Sequence, residues 1–239
     1  HLWSYRPSQS NREVRRLMIF QSMGKNSLLL ALFALITALI LASTDRVTED
    51  RIAESERLAA QKALFEIVPL ALHNNDLLVD LQPIPEQYWL ALGLDNGGDV
   101  HIARLDDQPV AAIVPSITTD GYSGDIAMIV GINFDGTVAG VRVVDHKETP
   151  GLGDKVELRK SDWILSFNGK SLNNPEISKW NVKKDRGDFD QFTGATITPK
   201  AVIHQIAKTL EYFEKDRERL LSAINFSDNP SLGEQAYNE

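Results

Sequence analysis

Cysteine is absent from all 239 residues. That absence excludes disulfides, thiolate metal sites, iron–sulfur ligation and cysteine nucleophiles together. Any electron transfer by this chain therefore has to use a bound cofactor. No Gly-x-Gly-x-x-Gly follows a strand-like run, so a nicotinamide dinucleotide is not expected to bind here. His73, His101, His146 and His204 are scattered without a ligand spacing, and no metal site is expected. Positive charge is also missing from the body of the chain as an excess. Arg6, Arg12, Arg15, Arg16 and Lys25 stand against Glu13 alone in residues 1–25, a net of +4 that leaves -12 for the remainder of a chain at -8. An acidic body argues against a nucleic-acid partner, while the basic start suits an anionic membrane surface.

What is present, first, is one long apolar run. Ser27 to Ser43 reads SLLLALFALITALILAS without a charge, at the short end of a transmembrane helix. The Lys/Arg excess on its N-terminal side predicts a single pass, with the N-terminus cytoplasmic and the long C-terminal part outside. A cleaved signal peptide is the competing reading, although the run is long for a signal core. Met18 and Met23 both read as starts, and residues 1–22 are expected to be an extension that takes no part in the fold. The expected organisation is a cytoplasmic segment at 1–26, a transmembrane helix at 27–43, a helical linker at 44–88, the main domain at 89–224 and a polar tail at 225–239.

Periodicity supplies the elements. From Asp45 to Val68, Ile52, Ala59, Ala63, Leu64 and Ile67 recur at helical spacing, and Pro69 closes that helix. Short β-like runs follow at Val100–Leu105, Val110–Val114, Ile126–Ile132 and Val138–Val144. The last two flank Asn133-Phe134-Asp135-Gly136-Thr137, where Asp-Gly supplies the positive φ of a hairpin turn. A helix is expected after Pro199, with Val202, Ile203, Ile206, Leu210 and Phe213 on one face. The fold class expected is α+β: an antiparallel sheet with packed helices, plus one N-terminal transmembrane helix.

Two strings carry chemistry. Residues 190–200 read DQFTGATITPK and lead into that last helix. Gly194 and Ala195 are small enough for a ligand to approach the backbone, and Thr193, Thr196 and Thr198 offer hydroxyls. Thr198 is expected to cap the helix with Pro199 at its first position, which would place free amides and a positive helix end beside the segment. On physics alone, a capped strand-to-helix turn with nothing bound is the commoner explanation of the string. The second string, Asp145 to Asp154, contains Glu148-Thr149-Pro150-Gly151-Leu152-Gly153, a tight loop whose backbone can lie against a flat ring or merely connect two elements.

Asp190-Gln191-Phe192-Thr193-Gly194-Ala195-Thr196 resembles the D-x-x-[ST]-G-A-T signature of the FMN-binding domain family. The resemblance implies flavin mononucleotide (FMN) joined through its phosphate to Thr196 by a flavin transferase, with Asp190 assisting that enzyme. The ETPGLG string is similar to the family's flavin-facing loop, which implies that Glu148, Thr149, Leu152 and Gly153 line the site. Gly121-Tyr122-Ser123-Gly124 resembles the family's strand-entry segment and adds Tyr122. Together the strings resemble the G subunit of the Rnf electron-transport complex, and more distantly the C subunit of the sodium-pumping NADH:quinone reductase. That likeness implies an electron carrier in a bacterial inner membrane, its flavin domain periplasmic, working with other membrane subunits that couple ferredoxin/NAD electron transfer to ion movement. A membrane-tethered assembly module without redox function, and a soluble periplasmic carrier, are the rival readings.

Overall fold

The computed structural model describes residues 27–28, 30–38 and 61–222. Residues 27–28 and 30–38 are helical. Among the described residues no helix is long and apolar enough to cross a membrane. The remaining positions of the expected span at 27–43, the start of the amphipathic helix, the segment 1–26 and the tail at 225–239 lie outside the described residues. The chain divides into two compact units, His1–Leu58 and Ala59–Glu239.

In the second unit, alternating apolar residues build a five-stranded sheet. Its strands are β1 (Leu81–Pro83), β2 (Asp99–Leu105), β3 (Gln108–Thr118), β4 (Ile126–Asn133) and β5 (Val138–His146). Each strand pairs antiparallel with the next in chain order, giving a meander. The antiparallel sheet with packed helices is thus as expected, although β1 falls inside the stretch at 44–88 read as linker. β3 also runs past the expected Val114 and through Pro115. Its pairing with β2 ends at Ile113, so the proline, which has no N–H to give, sits where β3 is bonded on one side only. The hairpin at Asn133–Thr137 forms as expected, with Gly136 at φ +89°.

Both faces of the sheet are buried, and the period of two sorts the residues between them. Val100, Ile102, Ala112, Val114, Met128 and Val130 share one core with the helix α3 (Ile197–Ser222), whose Val202, Ile203, Ile206, Leu210 and Phe213 form its inner face. Ala103, Ala111 and Ile113 share a second core with Leu64, Ile67 and Val68. Residues 61–67 are helical and are called α1, and the short helix α2 spans Trp89–Leu92. Small residues let α1 approach closely. Gly131 and Gly140 face each other across β4 and β5, and a Cβ at Gly131 would collide with the Ile67 side chain. Arg142 fixes the same helix from outside, its Nε donating to Glu66 Oε2 at 2.9 Å.

The chain between α1 and β1 is held by a buried ion pair. Arg104 Nε donates to Asp80 Oδ2 at 2.7 Å, Asn75 Nδ2 donates to the same oxygen at 2.9 Å, and Arg104 N–H donates to Asn75 Oδ1 at 2.8 Å. Removing one partner of a buried pair leaves the other charge uncompensated. Asp80→Ala should therefore cost about 3–5 kcal/mol in urea denaturation of the detergent-solubilised chain. Gly131→Val, which overfills the seat of Ile67, should cost about 1–3 kcal/mol and expose residues 61–80 to limited proteolysis.

Candidate functional site

The sheet's register brings the sequence motifs to one end of the fold. Ile126, at the start of β4, pairs with His146, the last residue of β5. The Gly121–Gly124 segment entering β4 and the ETPGLG loop leaving β5 therefore sit side by side.

Glu148 joins three segments. It is 5% exposed. Its Oε1 accepts the backbone N–H of Ser123 at 2.8 Å, and its Oε2 accepts the hydroxyl of Thr198 in a short hydrogen bond. One carboxyl thus ties the strand-entry segment and the first turn of α3 to the ETPGLG loop. An acid beside a helix N-terminus is also favoured by the helix dipole. Space around it is closed: a Cβ at Gly153 would lie 2.7 Å from Glu148 Oε2 and 2.9 Å from Thr198 Oγ1. The loop itself turns about the carbonyl of Thr149, which accepts the N–H groups of Leu152 and Gly153 at 3.1 Å each.

The second string meets the first. Ala195 N–H donates to Phe192 O at 3.1 Å, closing a turn in which Gly194 takes φ +82°, the value asked of the third residue in a type II turn. A Cβ at Gly194 would find one neighbour within 4 Å, Leu152 Cδ2 at 3.6 Å. Phe192 is buried and touches Trp163 edge to face, while Trp163 Nε1 donates to Asp190 O at 2.8 Å. Thus the aromatic core anchors the start of the segment, and Thr193 and Gly194 beyond it are exposed. The Asp190 carboxyl is itself exposed and pairs with Lys183 at 2.7 Å.

The expected cap is displaced by two residues. α3 begins at Ile197, so Thr196 rather than Thr198 holds the N-cap position, and the Thr196 carbonyl accepts the N–H of Lys200. Pro199 becomes the third helical residue. It is tolerated there because the first four helical N–H groups have no intrahelical partner. An N-cap hydroxyl ordinarily accepts the N–H of the second or third helical residue, and here the third has none. The three threonines consequently differ. Thr198 is buried and committed to Glu148, Thr193 is exposed in the turn, and Thr196 is half-buried with its hydroxyl unengaged among the described residues. Leu152 (41% exposed), Ile197 (51%) and Tyr122 (69%) leave apolar surface uncovered on these segments.

Two participants have only a faint sequence signal, a histidine and an acid bracketing the loop. His146 Nε2 lies 2.7 Å from Glu157 Oε1, and His146 Nδ1 accepts the Glu148 N–H at 3.0 Å. The hydrogen bonds from Arg159 and then His146 hold the Glu157 carboxyl below its usual range against the effect of partial burial. Farther out, the ammonium of Lys200 similarly lowers Asp185.

The model of the FMN-binding domain family matches residues 121–211, which include every motif described above. A second, the RnfG N-terminal region, matches residues 18–67. Curated relatives, each the G subunit of an ion-translocating oxidoreductase complex, align over most of both chains. The relative from Pseudomonas aeruginosa is 48% identical over 84% of this chain and 94% of its own length. The one from Vibrio atlanticus is 40% identical over 85% and 96%, and that from Erwinia tasmaniensis 47% over 82% and 92%. This chain belongs to the family of G subunits of the ion-translocating oxidoreductase complex. Among solved structures, the C subunit of the Na(+)-translocating NADH-quinone reductase from Parabacteroides distasonis is 23% identical over 55% of this chain and 66% of that one, with a TM-score of 0.38.

Within this member of the family, Glu148→Ala should destabilise the fold by about 1–3 kcal/mol for each donor left without its acceptor, read by chemical denaturation. The depressed Glu157 group supplies stability that is present above its unfolded-state value and is lost as pH falls through the lower folded-state value. Glu157→Gln should accordingly flatten the acid limb of a stability-versus-pH curve.

Proposed function

We propose that this protein relays electrons through FMN joined by a phosphoester to Thr196. The observation that carries the reading is a hydroxyl at the N-cap of α3 with no partner among the described residues, while Thr198 two residues later is already engaged by Glu148. A phosphate on Thr196 would meet the first amides of the helix and its positive dipole end, which favour an anion without any cationic side chain. The open surface at Gly194 and the apolar side chains Leu152, Ile197 and Tyr122 fit a flat ring system. Bound FMN supplies the capacity to accept and release electrons that the side chains of this site do not.

The chain's own work is then to hold and orient. Thr193, Gly194 and Ala195 form the turn that presents Thr196, and Thr149, Leu152 and Gly153 form the opposing loop. Glu148 and Thr198 lock these parts together from below. Asp190 stands exposed at the outer edge, where a flavin transferase can reach it during maturation. Membership of the family supports a place among the other subunits of an ion-translocating membrane complex of the Rnf type. The uncharged run at 27–43 supports a single-pass anchor that leaves the flavin domain in the periplasm.

Intact-mass measurement of the chain purified from its native host tests the attachment. The expected result is a mass increased by one FMN less one water, lost in Thr196→Ala and retained in Thr193→Ala. An unmodified wild-type mass would remove the covalent carrier and favour a membrane-tethered assembly module.

A further inference from the structure

The ETPGLG loop has a stem, and a histidine closes it. His146 is the last residue of β5, and Glu157 follows the 3-10 turn Gly153–Val156, so their side chains join the two ends of residues 147–156. Nδ1 of the same ring accepts the N–H of Glu148. A backbone amide can only donate, so Nδ1 must be the unprotonated nitrogen and the proton of the neutral ring must sit on Nε2, facing Glu157. Both nitrogens are therefore engaged, and each bond acts on a different part of the loop. One fixes its base. The other orients the peptide of Glu148, whose carboxyl reaches Ser123 and Thr198.

We propose that His146 is a positioning residue for the flavin-facing loop, acting only in its neutral Nε2–H form, so that proton uptake by this ring is transmitted to the flavin's surroundings. The proposal builds on the flavin reading above for its consequence, while the histidine geometry stands independently of it. A proton added at Nδ1 would place two donors against each other, and the Glu148 N–H would lose its acceptor. The charged groups around the ring are few. Glu157 faces Nε2, with Arg159 bonded to its other oxygen. Asp145 and Lys147 are exposed chain neighbours, Glu148 lies two residues on, and Ile126 opposite on β4 is followed outward by Asp125. Glu157 accepts from Nε2 whichever charge the ring carries, so the stem bond survives acidification and the Glu148 bond does not. Acid would thereby loosen the loop at one peptide without opening its stem.

Two substitutions separate the two bonds. Asn can place its carbonyl oxygen where Nδ1 lies and keep the Glu148 bond at any pH. Gln can reach Glu157 from the position of Nε2 but leaves the Glu148 N–H without an acceptor. The full-length chain in detergent, labelled with ¹⁵N-histidine, should show the Nε2–H tautomer for His146 at neutral pH. In the unflavinylated Thr196→Ala background, the hydrogen-exchange protection factor of the Glu148 amide should fall about fivefold on acidification. That fall should vanish in His146→Asn, and His146→Gln should be unprotected throughout. In the flavin-bearing chain, the visible circular dichroism of the flavin should follow the same pattern. A His146 proton on Nδ1 at neutral pH, or an Asn variant that titrates like the wild type, would overturn the proposal. Absence of flavin from the wild-type chain would sink the carrier reading while leaving the tautomer and exchange results to decide the role of His146.

Discussion

Glu148 is the group on which the rest of the site depends. A carboxyl buried to this degree is tolerated only where donors replace the water it has lost. Here they come from distant parts of the chain: the Ser123 amide is 25 residues upstream and the Thr198 hydroxyl 50 residues downstream. Satisfying one acid therefore fixes the relative positions of the strand-entry segment, the loop and the start of α3. Because Gly153 leaves no room for a side chain, the same acid also sets how closely the loop lies on the helix.

That arrangement divides the work among three neighbouring threonines that local sequence cannot tell apart. Thr198 commits its hydroxyl to Glu148. Thr193 faces solvent in a turn shaped by Gly194. Thr196 occupies the N-cap, yet the proline three residues on removes one of the two amides that would ordinarily engage it. The result is a hydroxyl held in place by the backbone around it and not consumed by it. The attachment proposed for Thr196 requires both properties.

The layers around the site explain why it is held firmly. One sheet face takes α3, whose first turn belongs to the site, and the opposite face takes α1 over a floor of alanine and glycine. The aromatic side chains Trp163, Phe167 and Phe189 pack together, and Trp163 holds the DQFTGAT segment through its ring contact with Phe192 and its hydrogen bond to Asp190. The stem of the ETPGLG loop is fastened by both ring nitrogens of His146, one against Glu157 and one accepting the Glu148 N–H. A rigid platform fastened in this way confines the response proposed for His146 to the loop that faces the proposed flavin.

Much of this was legible in the residues themselves. The strands at Val100–Leu105 and Ile126–Ile132 follow from alternation, the hairpin at Asp135-Gly136 from the positive φ it requires, and the buried face of α3 from a helical period, because local periodicity is what a half-buried element imposes. The motif strings marked segments that the fold brings together, since small and turn-forming residues are what a close approach of two loops requires. Sequence by itself misjudged the helix start, since proline is accepted at several positions of a first turn and does not mark one of them. It read β1, which is only three residues long, as linker, and it was silent on the pairing of His146 with Glu157, eleven residues apart. Which threonine is free, which acid is buried and which nitrogen of a histidine carries the proton were decided only by the tertiary structure, because each depends on partners brought close by the register of β4 and β5 and not by their distance along the chain.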